Sequence, residues 1–255
     1  MVFLLSYGSE RRGILGAATA GKYMSGDDVT LFGKLKSKLI DSKQKWAEDG
    51  RLLTSPSASL RAGNMAARSQ RLPPGQRQVG NWPVLDLGIQ PEIPTHAWRL
   101  FVDGAVEAPT TFKWGEFTDL PKAKLTTDIH CVTAWSRYDN KWEGVSARTL
   151  IDLVKPRADA QHVIFHSYDT YTTNVPLADF AADDVLLAWS WNGEPISREH
   201  GGPLRVVIPR LYFWKSAKWI KRVEFSVLDK PGFWELRGYH NYGDPWLEQR
   251  YDEEM

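Results

Sequence analysis

The sequence predicts an α+β domain of mixed β-sheets and a few short helices, preceded by an N-terminal extension. From Asn81 onward, short apolar runs alternate with turn residues, which is typical of strands and tight connections. Residues 51–78 are instead rich in Ser, Ala, Arg, Gly and Pro, which indicates a linker or an arm along the surface. We therefore divide the chain into a basic leader with a short helix and a linker at 1–78, and a compact domain at 79–255.

The individual elements follow from local patterns along the chain. Residues 26–50 carry leucines at helical spacing, which predicts an amphipathic helix. Helical spacing also predicts a helix at 147–154, which ends there because Pro156 disfavours helical geometry in the residue before it. Turn signals such as Asp103-Gly104 and Asn192-Gly193 end predicted strands. We predict strands at 98–102, 124–132, 162–167, 185–191, 204–208 and 219–228.

Bulk properties exclude several classes of protein. No run approaches the roughly 18–20 apolar residues of a membrane span, and a single cysteine excludes an internal disulfide framework. Residues 1–80 hold 13 Lys and Arg against 6 Asp and Glu, but these are scattered and no nucleic-acid motif accompanies them. We expect a cytoplasmic protein. The alternative is export to the periplasm, because Arg11-Arg12 before an apolar stretch weakly resembles a twin-arginine signal.

The only cysteine of the chain stands at the end of a predicted strand. Cys131 is placed where a thiolate can face a ligand, and we expect His130 and Arg137 to lower its pKa. Soft thiolates suit metals with sulfur-rich shells. A cysteine nucleophile with a histidine base would give the same pattern, as would a cysteine that is simply a small buried hydrophobe.

Two further segments suit a polar, anionic ligand. Segment 165–174 is dense in hydroxyls and amides that could meet a ligand or solvent. Gly201 and Gly202 let the backbone approach a ligand closely. Six basic residues and no acidic one follow, interleaved with aromatic rings, which predicts a local phosphate-type anion site. The basic residues are Arg205, Arg210, Lys215, Lys218, Lys221 and Arg222, and the rings are Tyr212, Phe213, Trp214 and Trp219.

In this order and spacing, the three segments resemble the sulfite-oxidase family of molybdopterin-dependent oxidoreductases, especially its small bacterial single-domain members. The resemblance runs from about Leu72 to Tyr251. It implies the family's molybdopterin-binding fold, with mixed β-sheets and short helices around a buried cofactor pocket. It also implies a molybdenum–molybdopterin cofactor, a pyranopterin dithiolene in the form without a nucleotide.

The resemblance also implies roles for particular residues. Cys131 corresponds to the thiolate ligand of the metal and is catalytic on that account. Arg137 is a candidate for substrate recognition, together with Arg210, and Tyr168 is a candidate wall of the catalytic pocket beside Trp135 and Trp214. His200 stands where an asparagine is common in the family. The expected cofactor contacts, besides Cys131, are His166, Ser167, His200, Arg205, Phe213, Trp214, Lys215, Ser216 and Lys218.

The implied activity is oxygen-atom transfer with a small-molecule substrate and an external electron-transfer partner, such as a cytochrome, a flavoprotein or a quinone-linked protein. The same site could oxidise sulfite-like anions or reduce sulfoxides of the methionine-sulfoxide type. Because sulfoxides are neutral, a strongly cationic pocket mouth would favour the oxidase. Two alternatives remain: a non-catalytic module that binds the cofactor, and a cofactor-free cysteine hydrolase or transferase.

Overall fold

The structure, a computed structural model, describes residues 71–252. The helix predicted at 26–50 and most of the predicted linker lie outside this range. The architecture is α+β, as predicted. Helices are short: α1 (Trp114–Thr118), α2 (Ala147–Val154) and α3 (Leu177–Phe180). The strands are β1 (Arg77–Gln78), β2 (Arg99–Gly104), β3 (Thr110–Lys113), β4 (Lys122–Cys131), β5 (Trp135–Ser146), β6 (His162–Ser167), β7 (Thr172–Pro176), β8 (Leu186–Trp191), β9 (Glu194–Pro195), β10 (Arg205–Val207) and β11 (Ile220–Ser226).

The strands form two mixed sheets. In the first sheet, β1, β5, β8 and β10 are neighbours in that order, with β4 on β5 and β9 on β8. In the second sheet, the order is β3-β2-β11-β6-β7. Two pairs are parallel, β1 with β5 and β2 with β11, and the other pairs are antiparallel. Both sheets therefore join segments that are far apart in the sequence.

Two hydrophobic clusters cover opposite faces of the first sheet. Along β8, Leu187 joins the larger cluster, whereas Leu186 and Ala188 join the smaller one. On β10, Val206 and Val207 divide in the same way. This alternation follows from the twofold period of a strand. The larger cluster also holds side chains of the second sheet, and the smaller one holds the thiol of β4.

Most of the predicted elements within the described residues are confirmed, and their ends differ from the predicted ones by at most two residues. The helix at 147–154 agrees with α2, whose first turn is capped by the Ser146 side chain accepting from Arg148 N. The principal omissions are β3, the long central strand β5, and β7, which begins inside the polar segment 165–174. The chain also joins the first sheet at β1, just before the expected domain boundary at 79.

Candidate functional site

A cavity lies between the smaller hydrophobic cluster and the loops at one end of the second sheet. It encloses about 940 Å³ of empty space, part of which is open to solvent. Its wall combines the β4–β5 turn, the loop after β6 and the segment from His200 to Trp219. The three sequence segments that carry the predicted chemistry therefore meet in one place. Their polar residues on the wall are Cys131, Thr133, Ser167, Asp169, His200, Arg205, Ser216 and Lys218.

The thiol of Cys131 is buried in this wall and forms no disulfide. A tight turn joins β4 to β5 directly after it: Ala134 has a φ of 64° and donates from its backbone nitrogen to Cys131 O at 3.1 Å. Thr133 Oγ1 donates to Cys131 Sγ at 3.2 Å. Burial raises the pKa of the thiol, while Thr133 and the charge of Arg250 oppose that rise.

The expectation that His130 and Arg137 lower the pKa of Cys131 is wrong. Strand alternation turns His130 to the opposite face, where its Nδ1 pairs with Ser136 Oγ at 2.8 Å. Burial lowers the pKa of His130 to about 4, so the ring is neutral near pH 7. The nearby cation is instead Arg250, which donates to Val132 O at 2.5 Å.

Arg205 places a buried positive charge in the same cavity. Its side chain donates to two carbonyl oxygens, His200 O at 2.7 Å and Ser216 O at 2.8 Å. The guanidinium lies 4.1 Å from the Phe213 ring centroid and 5.2 Å from that of Trp82. Within residues 71–252 it has no salt bridge to a carboxylate. Burial lowers its pKa to about 9, which leaves it charged at neutral pH and suited to an anionic ligand.

The glycine turn before Arg205 is packed too tightly for larger residues. A Cβ on Gly202 would lie 2.1 Å from Ile196 O, and one on Gly201 would lie 2.8 Å from Lys218 Cβ. Gly201 also has a φ of 106°, a conformation that side chains disfavour. The turn therefore brings the backbone at 200–202 and Lys218 together at the cavity wall.

The structure brings seven of the other expected cofactor contacts to the wall beside Cys131 and leaves two away from it. Ser167, His200, Arg205, Phe213, Trp214, Ser216 and Lys218 all line the cavity. His166 does not, because its Nε2 pairs with Glu224 Oε2 at 2.8 Å. Lys215 does not either, because its fully buried ammonium lies 2.6 Å from Glu235 Oε1 and also donates to Asn241 O and Asn174 O.

The two expected catalytic residues besides Cys131 also lie away from the wall. Arg137 donates to Asn140 Oδ1 and to Gly80 O, and its guanidinium is 4.6 Å from the Trp191 ring centroid. Tyr168 OH exchanges hydrogen bonds with the backbone N and O of Arg99, both at 2.8 Å. Arg210, the other candidate for anion recognition, pairs with Asp184 at 2.9 Å and lines a separate polar pocket. These three expectations are corrected: none of the three side chains lines the Cys131 cavity.

Several wall residues were not predicted from the sequence. They include the segment 82–87 and aromatic residues of the 234–239 region. Trp82 stacks on His200 with centroids 3.9 Å apart, and it also packs against Trp142. Eleven of the twelve tryptophans lie after position 80, but the sequence does not show which of these rings line a pocket and which fill the core. The wall residues not named in the sequence analysis are Trp82, Pro83, Leu85, Asp86, Leu87, Val132, Thr133, Asp169, Tyr171, Ala217, Trp234 and Tyr239.

Comparison with known proteins shows the family of the chain. Residues 87–234, more than half of the 255 residues, match the family described as the oxidoreductase molybdopterin binding domain. The chain belongs to this family. It is a molybdopterin oxidoreductase of the sulfite-oxidase type, as the sequence resemblance implied.

Relatives of the family differ in how much of their length they share with this oxidoreductase. It is 45% identical over 185 residues to the uncharacterized oxidoreductase YuiH of Bacillus subtilis, covering 72% of this chain and 93% of YuiH. It is 27% identical over 164 residues to the protein-methionine-sulfoxide reductase catalytic subunit MsrP of Ralstonia nicotianae, covering 58% of this chain and 49% of MsrP. The chain therefore spans about half the length of that relative.

A solved structure supports the same fold. The sulfane dehydrogenase SoxCD from Paracoccus pantotrophus aligns with a TM-score of 0.51 at 21% identity, covering 55% of this chain and 40% of that chain. At this identity the likeness concerns the fold alone. It agrees with the two mixed sheets and short helices described above.

The wall residues fit a molybdopterin. Ser167 Oγ and Trp135 Nε1 are buried at the wall and form no hydrogen bond within the described part of the chain. Arg205 offers a positive charge, and Cys131 offers a soft donor atom. Within residues 71–252, no three His, Cys, Asp or Glu side chains form a cluster that could hold a metal ion. In the same range, no helix is long and apolar enough to span a membrane.

Proposed function

We propose that Cys131 is the protein's thiolate ligand to the molybdenum and that Arg205 binds the phosphate of the pterin. The observation that carries this proposal is that one cavity joins the only thiol of the chain to a buried guanidinium without a carboxylate partner in residues 71–252. When bound, the molybdenum cofactor supplies two-electron oxygen-atom transfer. The residues of the chain hold and orient this group and shape the space beside it.

The cationic end of the cavity suits a terminal phosphate. Arg205 would donate charge-assisted hydrogen bonds, and Lys218 lies on the same wall. The Gly201-Gly202 turn keeps the backbone close to this end. The sequence contains no glycine-rich phosphate loop of the Rossmann or P-loop type that would indicate a site for an attached nucleotide. These features support the proposed form of the cofactor, a molybdopterin without an attached nucleotide.

The remaining wall favours a neutral substrate. The basic side chains on the cavity wall are Arg205, Lys218 and His200, and the acidic ones are Asp86 and Asp169. Burial lowers the pKa of His200 to about 4, so its ring is neutral near pH 7. Once a phosphate engages Arg205 and Lys218, no other arginine or lysine of the described chain lines the cavity. We therefore favour reduction of a neutral sulfoxide-type substrate over oxidation of sulfite. Such a reduction consumes two electrons and two protons and releases water.

The electrons for this reaction would come from an external protein. We propose a cytochrome, a flavoprotein or a quinone-linked donor. We also keep the cytoplasm as the proposed location, with the periplasm as the alternative if Arg11-Arg12 serves as an export signal.

Two substitutions test the cofactor roles. We expect Cys131→Ser to bind the pterin but lose turnover, because the phosphate contacts remain while the thiolate is gone. We expect Arg205→Gln to fold but contain little pterin, measured as fluorescence after oxidative release. Arg210→Gln is the matched control, since Arg210 pairs with Asp184 outside the cavity. Full turnover of Cys131→Ser, or normal pterin content of Arg205→Gln, would contradict the proposal.

Steady-state assays of loaded protein test the substrate class. Sulfite and a panel of S-oxides and N-oxides are compared, using artificial electron carriers as donor or acceptor. We expect turnover with neutral oxides and little with sulfite. Efficient sulfite oxidation, with no reduction of any oxide, would overturn the neutral-substrate proposal while leaving the cofactor assignment intact.

A further inference from the structure

The sulfur of Cys131 receives more than one hydrogen-bond donor from its own turn. The Thr133 hydroxyl donates to Sγ at 3.2 Å, and the backbone N–H groups of Val132 and Thr133 also interact with the sulfur. Thr133 lines the cavity beside Cys131. The hydroxyl is the only one of these donors that a side-chain substitution can remove without altering the backbone.

The turn that carries Thr133 is held from both sides. Ala134 N donates to Cys131 O within the turn, and Arg77 N of β1 donates to Ala134 O at 3.0 Å. The Gln76 side chain donates to Cys131 O at 3.0 Å. With both ends of the turn bonded in this way, the fold holds the backbone of Thr133 beside the sulfur.

We propose that Thr133 is a positioning residue that tunes the metal through the thiolate. The inference rests on the proposed role of Cys131 as metal ligand. A hydrogen bond to a coordinated thiolate withdraws electron density from the sulfur, so the sulfur donates less to the metal. A weaker donor stabilises the oxidised metal less, which raises the midpoint potential. Thr133 thereby favours the reduced, electron-donating state that a sulfoxide-reducing enzyme uses.

The test uses a substitution that removes the hydroxyl and keeps the shape. In cofactor-loaded Thr133→Val, we expect the metal midpoint potential to shift to a lower value and the sulfur-to-metal charge-transfer band to shift to lower energy. Thr133→Ser keeps a donor at the same place, and we expect it to retain the wild-type potential and band position. Wild-type values of both quantities in Thr133→Val would overturn the inference.

Cofactor content and a cysteine variant separate the possible failures. We expect wild-type pterin content in Thr133→Val. If both Thr133→Val and the smaller Thr133→Ala lack pterin while Thr133→Ser retains it, Thr133 serves retention of the cofactor and the tuning role is overturned. In Cys131→Ser, we expect the charge-transfer band to be lost. A charge-transfer band that persists in Cys131→Ser contradicts the ligand role of Cys131 itself. If that band is lost in Cys131→Ser but Thr133→Val keeps the wild-type potential and band position, only the role of Thr133 is contradicted.

Discussion

At the scale of single residues, burial decides the charge of the groups around the site. Arg205 keeps its charge although its side chain is only 2% exposed, because carbonyl oxygens accept its hydrogen bonds. These dipoles compensate only part of the desolvation cost, which is why its pKa falls to about 9. A bound phosphate would supply the missing countercharge. His130, in contrast, is neutral near pH 7, because burial lowers its pKa to about 4.

The depressed pKa of His130 predicts acid sensitivity. In the unfolded chain, His130 is protonated below its ordinary pKa of 6.5. In the folded chain it is protonated only below about pH 4. Stability is therefore lost as the pH falls from 6.5 to 4, by up to about 3 kcal/mol for this group. In urea unfolding, His130→Gln should lose less stability across this window than wild type. The control is His96→Gln at an exposed position, and equal pH slopes for wild type and His130→Gln would contradict the prediction.

At the scale of elements, the β4–β5 hairpin is fixed by segments from both ends of the described chain. The Gln76 side chain donates to Cys131 O at the end of β4, β1 pairs with β5, and the Arg250 side chain donates to Val132 O in the turn. Gln76, β1 and Arg250 lie outside the matched range 87–234. The thiol-bearing turn therefore depends on flanking segments that the matched range does not include.

This arrangement predicts that Arg250 limits access to the thiol. Loss of its charge-assisted hydrogen bond would make local opening of the turn easier by about 1.5 kcal/mol, which is about tenfold in the opening equilibrium. In cofactor-free protein, we expect Arg250→Ala to speed labelling of Cys131 by a thiol reagent about tenfold. Arg237→Ala is the matched control, because Arg237 also bonds a carbonyl and stacks on a ring, both of Phe233. Similar labelling rates for the two variants would argue against the role of Arg250.

The sequence correctly predicts the elements that local patterns determine. It does not predict the elements and contacts that depend on residues far away in the chain. Helix α2 and strand β6 have amphipathic spacing or apolar runs with clear end signals, and both are confirmed. Strand β5 was missed because its polar residues pair with β4 and β8, so tertiary pairing outweighs its weak strand pattern. For the site, Cys131 and Arg205 reach the expected cavity. Lys215 does not, because its partner Glu235 lies 20 residues away and nothing local indicates that pairing.

At the scale of the whole molecule, a buried polar network joins the C-terminal segment to the cavity wall. Glu235 Oε1 forms an ion pair with Lys215 Nζ and accepts hydrogen bonds from Thr173 Oγ1 at 2.8 Å and Trp214 Nε1 at 2.9 Å. The Trp214 ring lines the cavity. This network therefore links β7, the turn at 213–215 and the chain beyond β11, and it fixes one wall of the site.

The network predicts an asymmetric response to substitution. Lys215→Met leaves the Glu235 carboxylate buried without its cation, which should lower the free energy of unfolding by about 3–5 kcal/mol. Adding Glu235→Gln removes the buried negative charge, so the double variant should recover part of that loss. Chemical denaturation of the two variants measures the difference. A double variant less stable than Lys215→Met alone would show that the ion pair is not the dominant contribution.

X-ray absorption at the molybdenum edge, measured on loaded wild-type protein and loaded Cys131→Ser, tests whether the Cys131 sulfur binds the metal. With Cys131 as the proposed thiolate ligand, we expect wild-type protein to have one more sulfur ligand to molybdenum than the variant. An equal number of sulfur ligands in the two proteins, at equal metal content, would contradict the assignment of Cys131 as a ligand to the molybdenum.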